Sequence, residues 1–281
     1  MTEQQLTRLH TLANSISPVP IEPAAAPLAH ATGTVVLFSA GTQQLIGKIH
    51  RSSTRHEQEV HAYRNWAPAL GEAAPQLLTT DPSLPGIVLT HVPGTPLDTL
   101  DISPQTERLA HQQAGTLLQQ LHQLPAPDRP SEITADLADR AEQWLGQIGQ
   151  HLKTRDLRLV RDHMRQLHAM RAPRVGPCHL DFQPRNLLWH DQHVRLIDFE
   201  HSRVDLAARD LVRLATRCWP QRPDLKMAFL AGYGPLADSD MEVLTHCTAL
   251  EAVTSLAYAL RHNDPHAHQH AQHLLDTLPA A

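Results

Sequence analysis

A chain of 281 residues, 41% hydrophobic and 19% charged, can bury a sizeable core and is too apolar for wholesale disorder. Its formal net charge of -5 and 4% aromatic content argue against a nucleic-acid partner, since such grips run on clustered Lys and Arg with stacking rings, and leave room for a cationic ligand. The cysteines, Cys178, Cys218 and Cys247, are far apart and odd in number, against a disulfide framework or a paired metal site. The opening MTEQQLTRLH has no basic stretch leading into an apolar one, and no apolar run approaches the roughly 18 residues that span a bilayer. The expectation is a reduced, cytoplasmic protein with no membrane partner.

A short helix is expected at the start, followed by SPVPIEPAAAPLA, whose four prolines favour extended chain. GTVVLFSA and GTQQLIGKIH are β-branched or aliphatic runs introduced by Gly, read as two strands joined by a turn. STRHEQEVHAYRNW reads as a helix with a Ser/Thr start, and PGIVLTHVPGTPL as a buried strand bounded by Pro and Gly. Past Pro93 the character turns helical. SPQTERLAHQQAGTLLQQLHQL places Leu109, Leu117, Leu121 and Leu124 near one stripe, with Ser103 and Pro104 as cap and first turn. Residues 132 to 170 suggest two helices, and further helices are expected near 206 to 217, 224 to 232 and 239 to 262. The His-rich tail, with His266, His268 and His270, reads as a solvated end rather than a zinc site. The fold class is α+β, with a small β-rich lobe over residues 1–92 and a larger helical lobe over 93–281.

The chemistry concentrates in HLDFQPRNLLWHDQHVRLIDFE, residues 179 to 200. NLLW and VRLIDF are apolar strands separated by the polar turn HDQH, a hairpin pattern. Asn186 then sits at the mouth of one strand and Asp198 at the exit of the other, which can bring an amide oxygen beside a carboxylate. Hard oxygens of this kind suit Mg²⁺. Asp181 lies in the loop before, where a carboxylate can accept the proton of a substrate hydroxyl, and His179 can brace that loop. Taken singly, each is an ordinary turn or cap residue.

His179 to Asn186 followed by Ile197-Asp198-Phe199-Glu200 resembles the HGDxxxxN and IDxE pair of the aminoglycoside phosphotransferase and choline kinase family, small-molecule relatives of the protein kinases. Asp198 follows Asn186 by 12 positions, as a hairpin requires. The resemblance implies a bilobal protein-kinase-like fold with ATP (or GTP) in the cleft between lobes. It makes Asp181 the catalytic residue and gives Asn186 and Asp198 to Mg²⁺. It also asks for a strand lysine on the phosphates and a helix glutamate to hold it. Lys48 is the only lysine before position 153, and Glu59, with Glu57 as fallback, follows on the next helix. By the same resemblance, backbone groups of Thr90, His91 and Val92 bond adenine, His30, Thr32 and Gly33 cover the phosphates, and Asp210 braces the catalytic loop. Two departures stand out: Leu180 replaces the family's glycine, and no GxGxxG is present.

The family's acceptor pocket lies in the helical lobe, where Glu200, Asp205, Asp238, Asp240, Glu242 and Glu251 would suit a cationic small molecule. Glu200 reads equally as a satisfied surface acid. An amine-rich antibiotic, either an aminoglycoside or a basic cyclic peptide of the viomycin and capreomycin kind, leads the acceptor list and implies a resistance enzyme acting as a monomer or weak homodimer. The alternatives are a metabolic kinase for choline, an amino alcohol, a sugar or thiamine, and a non-catalytic nucleotide-binding relative.

Overall fold

The computed structural model describes residues 2–29, 33–81, 83–127 and 129–281. Helix α1 (Glu3–Asn14) is opened by a capping box: the Thr2 hydroxyl accepts from the Gln5 N–H and the Gln5 amide oxygen from the Thr2 N–H. The proline-rich stretch carries two short strands, β1 (Glu22–Pro23) and β2 (Leu28–Ala29). Next come β3 (Gly33–Ala40) and β4 (Gln43–His50), antiparallel in unbroken register from Gly33 opposite His50 to Ala40 opposite Gln43. Helix α2 (Ser53–Asn65) follows without the side-chain cap its Ser/Thr start suggested. Strands β5 (Leu77–Asp81) and β6 (Gly86–Thr90) complete a sheet ordered β1-β3-β4-β6-β5, and β7 (Thr95–Pro96) leads to α3 (Pro104–His122). Ser103 caps α3 as expected, its hydroxyl accepting from the Thr106 N–H.

The remaining elements are α4 (Pro130–Ile148), α5 (Thr154–Ala169), β8 (Val175–Cys178), the hairpin β9 (Leu187–His190) and β10 (His193–Leu196), and β11 (Arg203–Leu206). Helices α6 (Val212–Arg217), α7 (Pro223–Tyr233), α8 (Asp238–His262) and α9 (Pro265–Thr277) close the chain. Residues 207 to 211, expected to begin a helix, form a 3₁₀ turn instead. The His-rich tail is the helix α9, started by Asp264, whose carboxylate accepts from the His266 and Ala267 N–H groups.

The chain resolves into two compact units, each discontinuous in sequence. One takes residues 1–121 with 179–203, the other residues 122–178 with 204–281. The hairpin therefore packs with the N-terminal strands and α3: β9 pairs with both β10 and β7, and the Gln113 side chain on α3 accepts from the Val194 N–H.

In the first unit, strand parity sorts the side chains of β4. Leu45, Gly47 and Ile49 turn to a core that includes Leu9, Ala13, Val36, Phe38 and Val88. A Cβ on Gly47 would lie 2.5 Å from the Phe38 ring, so the absence of a side chain is what lets α1 and β3 close over this strand. Lys48 and His50 point to the opposite face. In the second unit, α8 packs against α4, α5 and α9. It is long and apolar enough to cross a membrane by length and composition, although its apolar residues are interrupted by polar ones. Its most apolar stretch is mostly buried, as in a core helix.

Candidate active site

Lys48 is 7% exposed and ends among three carboxylates. Its Nζ lies 3.0 Å from Glu59 Oε2, 2.6 Å from Asp198 Oδ1 and 2.8 Å from Glu200 Oε2. Burial works to strip the proton from Lys48, but the charges of Glu59, then Asp198 and Glu200, outweigh it and hold the pKa well above the ordinary lysine value. Glu59 is 1% exposed. Burial pushes its pKa up; Lys48 and His50 more than reverse this, so the group stays ionised. His50, two residues from Lys48 and on the same face, presents Nε2 to Glu59 and Nδ1 to the Pro85 carbonyl at 3.1 Å. With a carboxylate on one side and a carbonyl on the other, the ring donates to both. Glu57, the fallback for Glu59, is exposed on the far side of α2.

The loop holding Asp181 is built on His179. Its Nε2 donates to the Ile197 carbonyl at 2.9 Å, which leaves Nδ1 to accept from the Asp181 N–H at 3.3 Å. One neutral tautomer satisfies both bonds and ties the loop to the strand before Asp198. Leu180 takes φ 60°, the left-handed region that favours glycine. The backbone keeps the turn that glycine would allow, and the leucine carries the strain, about 1–2 kcal/mol. Asp181 itself is 2% exposed. Oδ1 accepts from Gln183 Nε2 at 2.7 Å, and Oδ2 accepts from Asn186 Nδ2 at 2.8 Å and Arg185 Nη2 at 2.9 Å.

The hairpin turns through Asp191 and Gln192, both at positive φ as a two-residue hairpin turn demands. Leu187 pairs with Leu196, and the Ile197 N–H donates to the Asn186 carbonyl at 3.1 Å, so Asn186 and Asp198 flank the same open end. Asn186 turns its amide nitrogen to Asp181, and Asp198 gives one oxygen to Lys48. Among the described residues, Asn186 Oδ1 and Asp198 Oδ2 have no hydrogen-bond partner, so the end of the hairpin offers two hard oxygens, the donor type a small divalent cation takes. Helix α2 anchors the segment after Asp198: Tyr63 packs on Phe199 with centroids 5.2 Å apart, and Arg55 Nη1 donates to the Glu200 carbonyl at 3.4 Å.

Other expected residues fare differently. The Thr90 N–H donates to the Gln76 carbonyl at 2.9 Å and the His91 N–H to the Gln44 carbonyl at 3.3 Å, so neither amide is open to a base. The Val92 N–H has no partner among the described residues. Gly33 pairs with His50, and a Cβ there would lie 2.3 Å from the Ile49 carbonyl oxygen, so close strand approach accounts for this glycine. His30 and Thr32 lie outside the described residues. Asp210, in the second unit, accepts from His122 Nε2 at 2.9 Å, and His122 Nδ1 meets the Tyr233 hydroxyl at 2.8 Å.

The acids assigned to a cationic acceptor need correction. Glu200 is buried on Lys48 and also 3.3 Å from His201; burial pushes its pKa up, but the hydrogen bond from His201 and the Lys48 ammonium more than reverse this and hold it well below the carboxylate range. Asp205 is buried and bound by Arg209, Glu251 lies 2.7 Å from Arg217, and buried Asp240 lies 3.6 Å from Arg174. Each is claimed by a cation of the protein. Asp238 and Glu242 are the two of the six that stay exposed. Sequence reasoning also passed over His50 and Arg185. Strand parity from Lys48 would have found the first; the second stands inside the quoted motif.

Residues 25–247 match the model of the phosphotransferase enzyme family, APH. No curated protein matches the chain by sequence. Among solved structures, the amicoumacin kinase hAmiN, in complex with AMP-PNP, Ca²⁺ and Ami, is 17% identical at a TM-score of 0.70, covering 100% of this chain and 95% of that one. The GDP and kanamycin complex of an APH(2") enzyme is 17% identical at a TM-score of 0.69, with 98% of each chain covered. A choline/ethanolamine kinase family protein from Mesorhizobium loti is 20% identical at a TM-score of 0.66, covering 97% of this chain and 92% of that one. At these identities the likeness is one of fold, the protein-kinase-like α+β architecture. The family match runs from the N-terminal strands through the hairpin and on into α8, and on that span this protein belongs to the phosphotransferase enzyme family.

Proposed function

We propose that this chain transfers the γ-phosphoryl group of ATP or GTP to a hydroxyl of a small molecule in the cytoplasm, with an antibiotic as the leading acceptor. The observation that carries the reading is the gathering, in one unit, of a buried ammonium held by carboxylates and an aspartate locked by three donors, joined through the hairpin end. In the reaction the bond between the γ-phosphorus and the β–γ bridging oxygen breaks, its electron pair stays on the nucleoside diphosphate, and a new P–O bond forms to the acceptor. The acceptor proton leaves by way of Asp181, whose carboxylate aligns the attacking oxygen. Lys48 bonds phosphate oxygens, and Glu59 and Glu200 keep its ammonium in place, so little reorganisation is needed when charge moves. Mg²⁺, when held by Asn186 Oδ1 and Asp198 Oδ2, would neutralise phosphate charge.

The acceptor class draws its support from structural relatives in complex with kanamycin, gentamicin and spectinomycin, and from an amicoumacin kinase. The charge argument for a strongly cationic acceptor is weaker than the sequence implied, because four of the six candidate acids are paired internally. A second reading, a metabolic kinase for choline or another amino alcohol, draws on the Mesorhizobium loti relative. Purified chain with Mg²⁺ and ATP or GTP, assayed for release of ADP or GDP against aminoglycosides, viomycin, capreomycin, macrolides, spectinomycin, amicoumacin, choline and ethanolamine, separates them. Stimulation by an antibiotic, with raised resistance in cells carrying the gene but not its Asp181→Ala variant, supports the first. Stimulation by choline or ethanolamine alone selects the second.

A further inference from the structure

Asp181 must meet an acceptor hydroxyl, yet it is 2% exposed and both lone pairs of Oδ2 are in use. Two of the donors that cover it, Gln183 and Asn186, are themselves buried and fixed in the turn before β9, where the Asn186 N–H donates to the Gln183 carbonyl at 2.9 Å. The third, Arg185, differs in kind: its side chain is 58% exposed, and its long stem can swing without disturbing the fold. No hydroxyl reaches Oδ2 until a donor leaves, and Arg185 is the one that can.

A guanidinium released there needs a new anion. Arg185 already feels the charges of Asp181, Asp198 and Asp98, which raise its pKa against burial, so it stands at the meeting point of the loop and the hairpin end. The other cation at the centre, Lys48, is buried among carboxylates and reaches the site from β4. A guanidinium presents paired N–H groups that match two oxygens of one phosphoryl group, a geometry an ammonium lacks.

Resting on the phosphotransferase reading above, we propose that Arg185 is a further catalytic residue: it covers Asp181 in the ligand-free chain and moves to the transferring phosphoryl group as the acceptor takes its place. Charge on the equatorial phosphoryl oxygens is then met by a second cation besides Lys48, and the Asp181 carboxylate is freed at the same moment. Water binding in place of a substrate hydroxyl would use the same exchange, so hydrolysis of ATP without acceptor reports it.

The test uses the full chain with Mg²⁺, measuring acceptor-free ATP hydrolysis at saturating ATP and the affinities for AMP-PNP and ADP. Because the side chain is largely exposed, Arg185→Met and Arg185→Lys should melt close to the parent. Arg185→Met is expected to slow hydrolysis by tenfold or more and to weaken AMP-PNP relative to ADP, with Arg185→Lys recovering part of both. In an Asp181→Asn background, Arg185→Met should still weaken AMP-PNP relative to ADP. Hydrolysis at the parental rate, or an AMP-PNP effect that vanishes once Asp181 is Asn, overturns the proposal, the latter by showing that Arg185 acts only through Asp181. A parent chain that binds no nucleotide would instead defeat the reading of the site on which the proposal rests.

Discussion

Glu59→Gln is the sharpest perturbation of the lysine cluster. The amide is isosteric, but one carboxylate oxygen becomes an NH₂ that must face either Lys48 or His50, both donors. Removing one partner of a buried ion pair costs ~3–5 kcal/mol when the other charge is stranded. Lys48 is not stranded, since Asp198 and Glu200 remain 2.6 and 2.8 Å away. About 2 kcal/mol is therefore expected, or roughly 4–8 °C in Tm for a chain of this size. Lys48, drawn toward Asp198 and Glu200, would offer itself less well to phosphates, and a loss of ~1.4 kcal/mol there raises the KM for ATP about tenfold. Thermal melts and steady-state kinetics with varied ATP read the two effects. The pair His50→Gln and His50→Asn refines the test: a glutamine amide can replace the Nε2 donor to Glu59, whereas asparagine replaces the Nδ1 donor to Pro85. The glutamine variant should keep a near-parental KM for ATP and the asparagine variant should not. A Glu59→Gln protein with unchanged Tm and unchanged KM would refute the claim that Glu59 holds Lys48.

Asp181→Ala should lower kcat by ~10²–10⁴-fold while nucleotide affinity changes little, since Asp181 acts on the acceptor; equal turnover would remove it from the chemistry. Chelation by EDTA should abolish turnover, and Asn186→Ala should raise the Mg²⁺ needed for half-maximal rate by about tenfold, because one of two hard-oxygen donors is gone. Insensitivity to both would dismiss the hairpin end as a metal site. In the second unit, His163 donates from Nε2 to the Pro279 carbonyl at 3.1 Å and faces His246 through Nδ1 atoms 2.9 Å apart. Burial, chiefly, holds both rings below the ordinary histidine pKa, so they are neutral when folded. The unfolded rings take up protons below about pH 6.5. Their stabilisation is full above that pH and is lost as pH falls toward the folded values. Tm should drop between pH 7 and 5, and the drop should shrink in the His163→Gln, His246→Gln double variant; an identical pH profile would acquit the pair.

Local rules carried much of this protein. The Gly-led strand pair, the Ser103-Pro104 helix start and the hairpin between Asn186 and Asp198 are written in short-range pattern and turn chemistry, and all appear in the fold, although the turn read as HDQH tightens to Asp191 and Gln192 as His190 and His193 join the strands. Lys48 and Glu59 could be singled out because the family resemblance asks for a strand lysine and a helix glutamate, and Lys48 is the only lysine before position 153. What pattern could not supply was the partner of each buried charge. Glu200 reads equally as a satisfied surface acid and as a contact for a cationic acceptor, and it sits buried on Lys48, 152 positions away, while Asp205 and Glu251 are bound by Arg209 and Arg217. The division into two units that exchange segments at residues 121, 178 and 203 was equally hidden. Periodicity tells which side of an element is apolar, because each residue meets water or core through its own local geometry. Which cation meets which carboxylate is decided only when distant elements pack, since an ion pair depends on distance in space and the sequence records distance along the chain.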